Sequence, residues 1–171
     1  MHKLRHAPGD PEEVLKAALE GVAGPGPVYV LGLGYADKAD DGAGVLVAET
    51  LKKLFPNHSF SEHDGVEGTV LDISEKDGPG TVFFVDATDI KGAPGTILVV
   101  PREDIKETEI STHRVPVALM ASVLGREGKG TAVVCVQTRS LEFRGDLSSE
   151  VSSAVDLLVR VFGDIMSGRP G

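Results

Sequence analysis

Three short stretches hold the side chains best suited to chemistry. Asp40 and Asp41 stand side by side between a glycine loop, Gly32-Leu33-Gly34, and a helix-forming run. Asp86 directly follows an apolar segment, with Asp89 close behind it. His113 sits in Ser111-Thr112-His113-Arg114-Val115-Pro116, just ahead of another helical run. Two carboxylates and one imidazole offer oxygen, oxygen and nitrogen ligands. With open positions, such a set suits a borderline divalent metal such as nickel or zinc. Two carboxylates can instead share a proton as an acid–base pair. The residue types alone leave both chemistries open.

Each stretch also has a plainer reading. One of Asp40 and Asp41 caps the following helix, which is worth about 1 kcal/mol. Only one residue can be the N-cap, so the other needs a separate reason. Gly42 and Gly44 are poor helix formers, about 1 kcal/mol worse than Ala, yet both fall in the first turn, so something approaches that backbone closely. Asp86 can end a strand, and Asp89 can form an Asx-turn. His113 can be a packed residue at a helix start. The other histidines are less promising: His2 and His6 lie in the terminal stretch, and His58 and His63 flank an edge strand as surface residues.

Several chemistries are excluded or disfavoured. Gly32-x-Gly34 begins a dinucleotide fingerprint, but its third glycine is replaced by Asp37, and Asp37, Asp40 and Asp41 would repel a pyrophosphate. There is no phosphate-binding G-x-x-x-x-G-K-[ST] run and no G-x-S-x-G elbow. Cys135 lies within an apolar strand and reads as a small buried residue rather than a nucleophile. As the single cysteine, it excludes an intramolecular disulfide. The serines at 148, 149, 152 and 153 fall on the last helix as cap and surface. A net charge of −9 argues against nucleic-acid binding. No apolar run is long enough to cross a membrane, and the basic start Met1-His-Lys-Leu-Arg lacks a signal peptide's apolar core. The expected location is therefore cytoplasmic.

The elements that must position these residues follow from periodicity. Residues 1–9 read as a flexible tail and 10–171 as a single domain, with an extra N-terminal helix over 10–23. Asp10-Pro11-Glu12-Glu13 opens that helix with a capping residue, a proline in the first turn and acids facing the positive dipole end. Val28–Leu33 is a strand covered on both faces, since it lacks polar alternation. A helix runs from about Gly42 to Phe55 on Val45, Ala48, Leu51, Leu54 and Phe55. His58–His63 is a weak edge strand. Val70–Lys76 is a short helix on Val70, Leu71 and Ile73. Thr81–Val85, Thr96–Val100 and Thr131–Gln137 are strands, Val117–Leu124 is a helix, and the last helix starts near Leu147 with Val151, Ala154, Val155, Leu158, Val161 and Phe162 inward.

This order makes an α/β three-layer sandwich: a five-stranded, mostly parallel sheet with helices on both faces. One strand, 58–63 or 96–100, is expected to be antiparallel, because Val85 and Thr96 are too close for a helical crossover. In such a sheet, the Asp40–Asp41 loop and Asp86 leave at the same edge.

Taken together, the segments resemble the hydrogenase maturation proteases, which trim the C-terminus of the large subunit of [NiFe] hydrogenases. The matching pieces are Gly32-Leu-Gly34 with Asp40-Asp41-Gly42-Ala43-Gly44, Val85-Asp86-Ala87-Thr88-Asp89 with Pro94-Gly95, and Ser111-Thr112-His113-Arg114-Val115-Pro116. Val136-Gln137 through Gly145 to Leu147-Ser-Ser-Glu-Val151 makes a fourth. Tyr35, Asp37 and Thr138 depart from the family's usual Asn, apolar residue and Pro. The Ser-Thr-His-x-x-Pro form is most similar to the branch serving energy-converting, formate-linked and some archaeal hydrogenases.

The resemblance implies an endopeptidase whose metal-contacting and catalytic residues are Asp41, Asp86 and His113. It implies that the nickel is supplied by the partner, the large-subunit precursor, and that cleavage waits for its insertion. Two other expectations stand beside it. One is a metal-independent aspartic-type peptidase in which Asp41 and Asp86 share a proton. The other is a non-catalytic chaperone that holds the immature subunit or nickel without cutting.

Overall fold

The computed structural model describes residues 2–3, 9–105, 116–140 and 145–169. A two-residue strand, β1 (His2–Lys3), precedes helix α1 (Pro11–Val22) and strand β2 (Val28–Gly32). Then come α2 (Ala43–Lys52), β3 (Ser59–Ser61), α3 (Val66–Ser74), β4 (Thr81–Thr88) and β5 (Ile97–Pro101). The described chain ends with α4 (Val117–Arg126), β6 (Gly130–Gln137) and α5 (Ser149–Ser167).

The sheet order is β1-β5-β6-β4-β2-β3. The β6, β4, β2 and β3 strands run parallel, and β5 runs antiparallel to β6. The mostly parallel sheet with one reversed strand is thus as expected, and the reversed one is the 96–100 candidate. His2–Lys3 adds a sixth, antiparallel strand at the β5 edge, which the five-stranded reading did not include. Residues 1 and 4–8 of the expected tail lie outside the described residues.

Central strands β2 and β4 are buried at every position. That agrees with their unbroken apolar character, because both sheet faces carry helices. One face packs Val30, Phe83, Val85 and Val134 against α1, α2 and α5. There Phe83 and Phe162 meet edge to face at 5.4 Å. The other face packs Leu31, Phe84 and Cys135 against α3 and α4. Each fully buried aromatic or branched side chain contributes roughly 1.5–3 kcal/mol of hydrophobic stabilisation.

Some details differ from expectation. Helix α2 stops at Lys52, so Leu54 lands in the following turn and is 76% exposed. In α3, Val66, Val70 and Ile73 face inward, while Leu71, one step round from Val70, faces solvent. Asp10 holds the N-cap position of α1, but its side chain makes no capping bond. His58 is half-buried and stacks on Tyr29 at 5.2 Å, so it is less of a surface residue than its edge position implied.

Candidate active site

The strands β2 and β4 end together. Gly32 is in register with Val85, and the Leu33 N–H donates to the Val85 carbonyl at 2.8 Å. The chain therefore leaves β2 at Leu33 beside Asp86 on β4. A Cβ at Gly44 would overlap the carbonyl oxygens of Leu33 and Val85. This explains the glycine in the first turn of α2: the protein's own strand ends approach it. Gly34, at φ +126°, lies with its Cα against the Asp41 carbonyl, where a side chain would collide.

Between Gly34 and α2, residues Ala39–Gly42 form a 3₁₀ turn that carries both acids. Neither Asp40 nor Asp41 caps α2, since Gly42 is its N-cap and makes no side-chain bond. The two carboxylates leave the turn toward different partners. Asp41, 6% exposed, accepts the Tyr35 N–H at 3.2 Å through Oδ2. Its own N–H donates to the Lys38 carbonyl at 2.8 Å.

Asp40 is fully buried and bonds the segment between β6 and α5. Its Oδ2 accepts from the N–H groups of Arg139 at 2.7 Å and Ser140 at 2.8 Å, and from Ser148 Oγ at 3.0 Å. Its Oδ1 accepts the Ser148 N–H at 2.7 Å. Burial pushes this carboxyl up, but the bonds from Ser140, Ser148 and Arg139 outweigh it and hold the group below its usual range.

Asp86, 1% exposed, is the register partner of Cys135 on β6 and shares the face packed by α3 and α4. Burial, helped by the Asp86 charge, pushes the Cys135 thiol up to about 12. A thiol so raised is not a nucleophile at neutral pH, as its place in an apolar strand had implied. Asp89 is exposed and forms the expected Asx-turn, accepting the Lys91 N–H at 3.0 Å. The Lys91 ammonium also bonds it and, with the Lys91 and Gln137 hydrogen bonds, lowers its pKa.

The β4–β5 loop is held by a residue whose role sequence reasoning missed. Gln137 ends β6 and is nearly buried. Its Oε1 accepts from the Ile90 N–H at 2.8 Å and the Gly92 N–H at 3.0 Å. Its Nε2 donates to the Thr138 carbonyl at 2.9 Å and to Asp89 Oδ1 at 3.3 Å. The available signal was a polar residue at the end of an otherwise apolar strand.

Asp41 and Asp86 thus stand at one end of the β2–β4 pair. The stretch 106–115, which includes His113, lies outside the described residues. Helix α4, which follows that stretch, packs on β6, and only Glu127–Lys129 separate it from the β6 start. Its first turn therefore lies toward the other end of β6, the end at which Asp86 sits. Among the described residues, no group of three or more His, Cys, Asp or Glu side chains is placed to hold a metal. Nor, among them, is any helix long and apolar enough to cross a membrane.

An α/β chain with buried acids gathered where its parallel strands end has the architecture of an α/β enzyme. The family model for HycI, hydrogenase maturation protease, matches residues 47–164, and the chain belongs to that family of peptidases. The match takes in Asp86 and His113 and begins after Asp41. The [NiFe] hydrogenase maturation protease HycI from Thermococcus kodakarensis KOD1 has a similar structure, with a TM-score of 0.71 at 24% identity over 90% of this chain and 99% of that one. The endopeptidase HycI from Escherichia coli has a TM-score of 0.62 at 24% identity, covering 80% of this chain and 90% of its own. The hydrogenase maturating endopeptidase HybD from E. coli has a TM-score of 0.63 at 23% identity, covering 83% and 93%. At these identities, the structures establish a shared fold. HycI and HybD match about equally, which assigns the family and not a branch within it. No curated protein sequence matches the chain significantly.

Proposed function

We propose that this chain is the endopeptidase that removes the C-terminal peptide of a [NiFe]-hydrogenase large-subunit precursor once nickel has been inserted. In this reading, Asp41, Asp86 and His113 recognise nickel carried by the substrate, and the substrate belongs to the formate-linked or energy-converting and archaeal group. The observation that carries it is the common strand end: the Leu33–Val85 bond sets Asp86 beside the exit of β2, and Gly34 seats the Asp41 turn there.

The physical logic is one of charge. Asp41 and Asp86 are 6% and 1% exposed, so in contact with a nickel-free partner they are carboxylates with little water around them. Bringing such charges into an interface without a counter-charge is costly. A divalent ion held by the partner reverses the sign of that contact, and the difference between the two states is both affinity and a checkpoint. At 1% exposure, Asp86 meets an ion only when the layer over it moves aside. A metal ion in such a place polarises a carbonyl or lowers the pKa of a water molecule.

The test is to mix the purified protein with nickel-loaded and nickel-free precursor and weigh the products. Loss of the C-terminal peptide from the nickel-loaded form alone is the expected result. Cleavage of both forms would favour the proton-sharing aspartate pair, and complex formation without mass loss would favour the chaperone.

A further inference from the structure

We infer that Asp40 is a positioning residue of this site: its buried carboxylate clamps the acid turn to the segment between β6 and α5 and so fixes where Asp41 stands. The inference rests on the reading of Asp41 as a site residue given above. Its basis is a long-range anchor at the adjacent position. Among the described residues, the four donors to the Asp40 carboxylate come from Arg139, Ser140 and Ser148, between 99 and 108 residues away along the chain. The Asp40 N–H returns a bond to the Ser140 carbonyl at 3.3 Å. Arg139 closes the clamp on α5 through Glu150 Oε1 at 2.7 Å.

A second observation shows that the turn needs an anchor. Ala39, just ahead of Asp40, sits at φ +32°, and it is buried. A non-glycine residue in the left-handed region persists where its surroundings over-determine it. On the far side of the turn, Asp41 accepts the Tyr35 N–H at 3.2 Å. That contact is local and cannot tie the turn to the body of the sheet. The clamp on Asp40 can, because its donors lie on the segment that joins β6 to α5. Two adjacent acids thus divide the work: one holds the turn and the other is held by it.

The test uses Asp40→Asn, which keeps size and one acceptor but sets an amide against N–H donors. The kcat for nickel-loaded precursor should fall by about 10²-fold with KM unchanged, as expected for a reacting group displaced by about 1 Å. Amide exchange at Tyr35, which does not touch the Asp40 carboxylate, should speed up. Phe162→Leu, matched for loss of melting temperature and remote from the turn, should keep its kcat. Ser148→Ala removes only the hydroxyl bond and should lower kcat about two- to threefold, so the inference stays testable if Asp40→Asn does not fold. A normal kcat in a folded Asp40→Asn, or an equal fall in Phe162→Leu, overturns the inference while a dead Asp41→Asn leaves the site reading standing. A fully active Asp41→Asn overturns both.

Discussion

Asp86 and Cys135 are register partners on neighbouring parallel strands, and their side chains leave the sheet on the same buried face. Burial disfavours the thiolate and the Asp86 charge beside it adds to that, so Cys135 is pushed up to about 12. Two consequences follow. Cys135 should resist a disulfide-exchange reagent at pH 8 in the folded protein and react fully in denaturant. Its ionisation should also make stability depend on alkaline pH. Below about pH 8.5 both folded and unfolded chains keep the thiol proton. Above that, the unfolded chain releases it while the folded chain holds it up to about 12. Stability should therefore fall from about pH 8.5 upward, by roughly 2 kcal/mol at pH 10. Cys135→Ala should lack that part of the decline in urea titrations. Fast labelling of the folded protein would show the face to be open.

A matched pair of glycine substitutions tests how α2 seats on the strand ends. Gly44→Ala should destabilise by about 3 kcal/mol, because the added methyl overlaps the Leu33 and Val85 carbonyls. Gly21→Ala, in α1 with open space around it, should stabilise by roughly 0.5–1 kcal/mol through helix propensity. Urea midpoints measure both, and equal small effects would mean that α2 does not rest on the strand ends.

Gln137→Ala should destabilise by about 2 kcal/mol, since it strips partners from the Ile90 and Gly92 amides at once. Exchange at those two amides should quicken, while exchange in β2 is unchanged. Unaltered protection at Ile90 and Gly92 would show that the β4–β5 loop holds itself.

Much of the fold was legible because buried parallel strands announce themselves. Val28–Gly32 and Thr81–Val85 are nearly unbroken apolar runs, the first ending in a glycine and the second followed by Asp86, and a run of that kind has few alternatives. That one strand is reversed followed from the short span between Val85 and Thr96, which left 58–63 and 96–100 as candidates, and the structure reverses 96–100. Less legible was anything that depends on where an element stops. Leu54 fits the period of α2, but the helix ends at Lys52 and leaves it in solvent. Within the site, Asp40 and Asp41 were visible as a pair, but not their division of work. The bond that the Ser148 N–H donates to Asp40 spans 108 residues, and no local pattern encodes it. The role of Gln137 was hidden for the same reason, since its partners lie on a loop 45 to 48 residues earlier.

Asp41, Asp86 and His113, proposed above as site residues, make a direct prediction for activity. Asp41→Asn, Asp86→Asn and His113→Ala should each lower processing of nickel-loaded precursor by at least about 10²-fold. Far-ultraviolet circular dichroism should remain that of the parent. Full activity in any one variant would remove that residue from the site.

The most direct measurement is the mass of the large subunit after incubation with this protein, with and without nickel in the precursor. The account predicts loss of the C-terminal peptide from the nickel-loaded subunit and an intact nickel-free one. Equal cleavage of both would contradict the role of nickel, and no cleavage of either would contradict the proposed substrate.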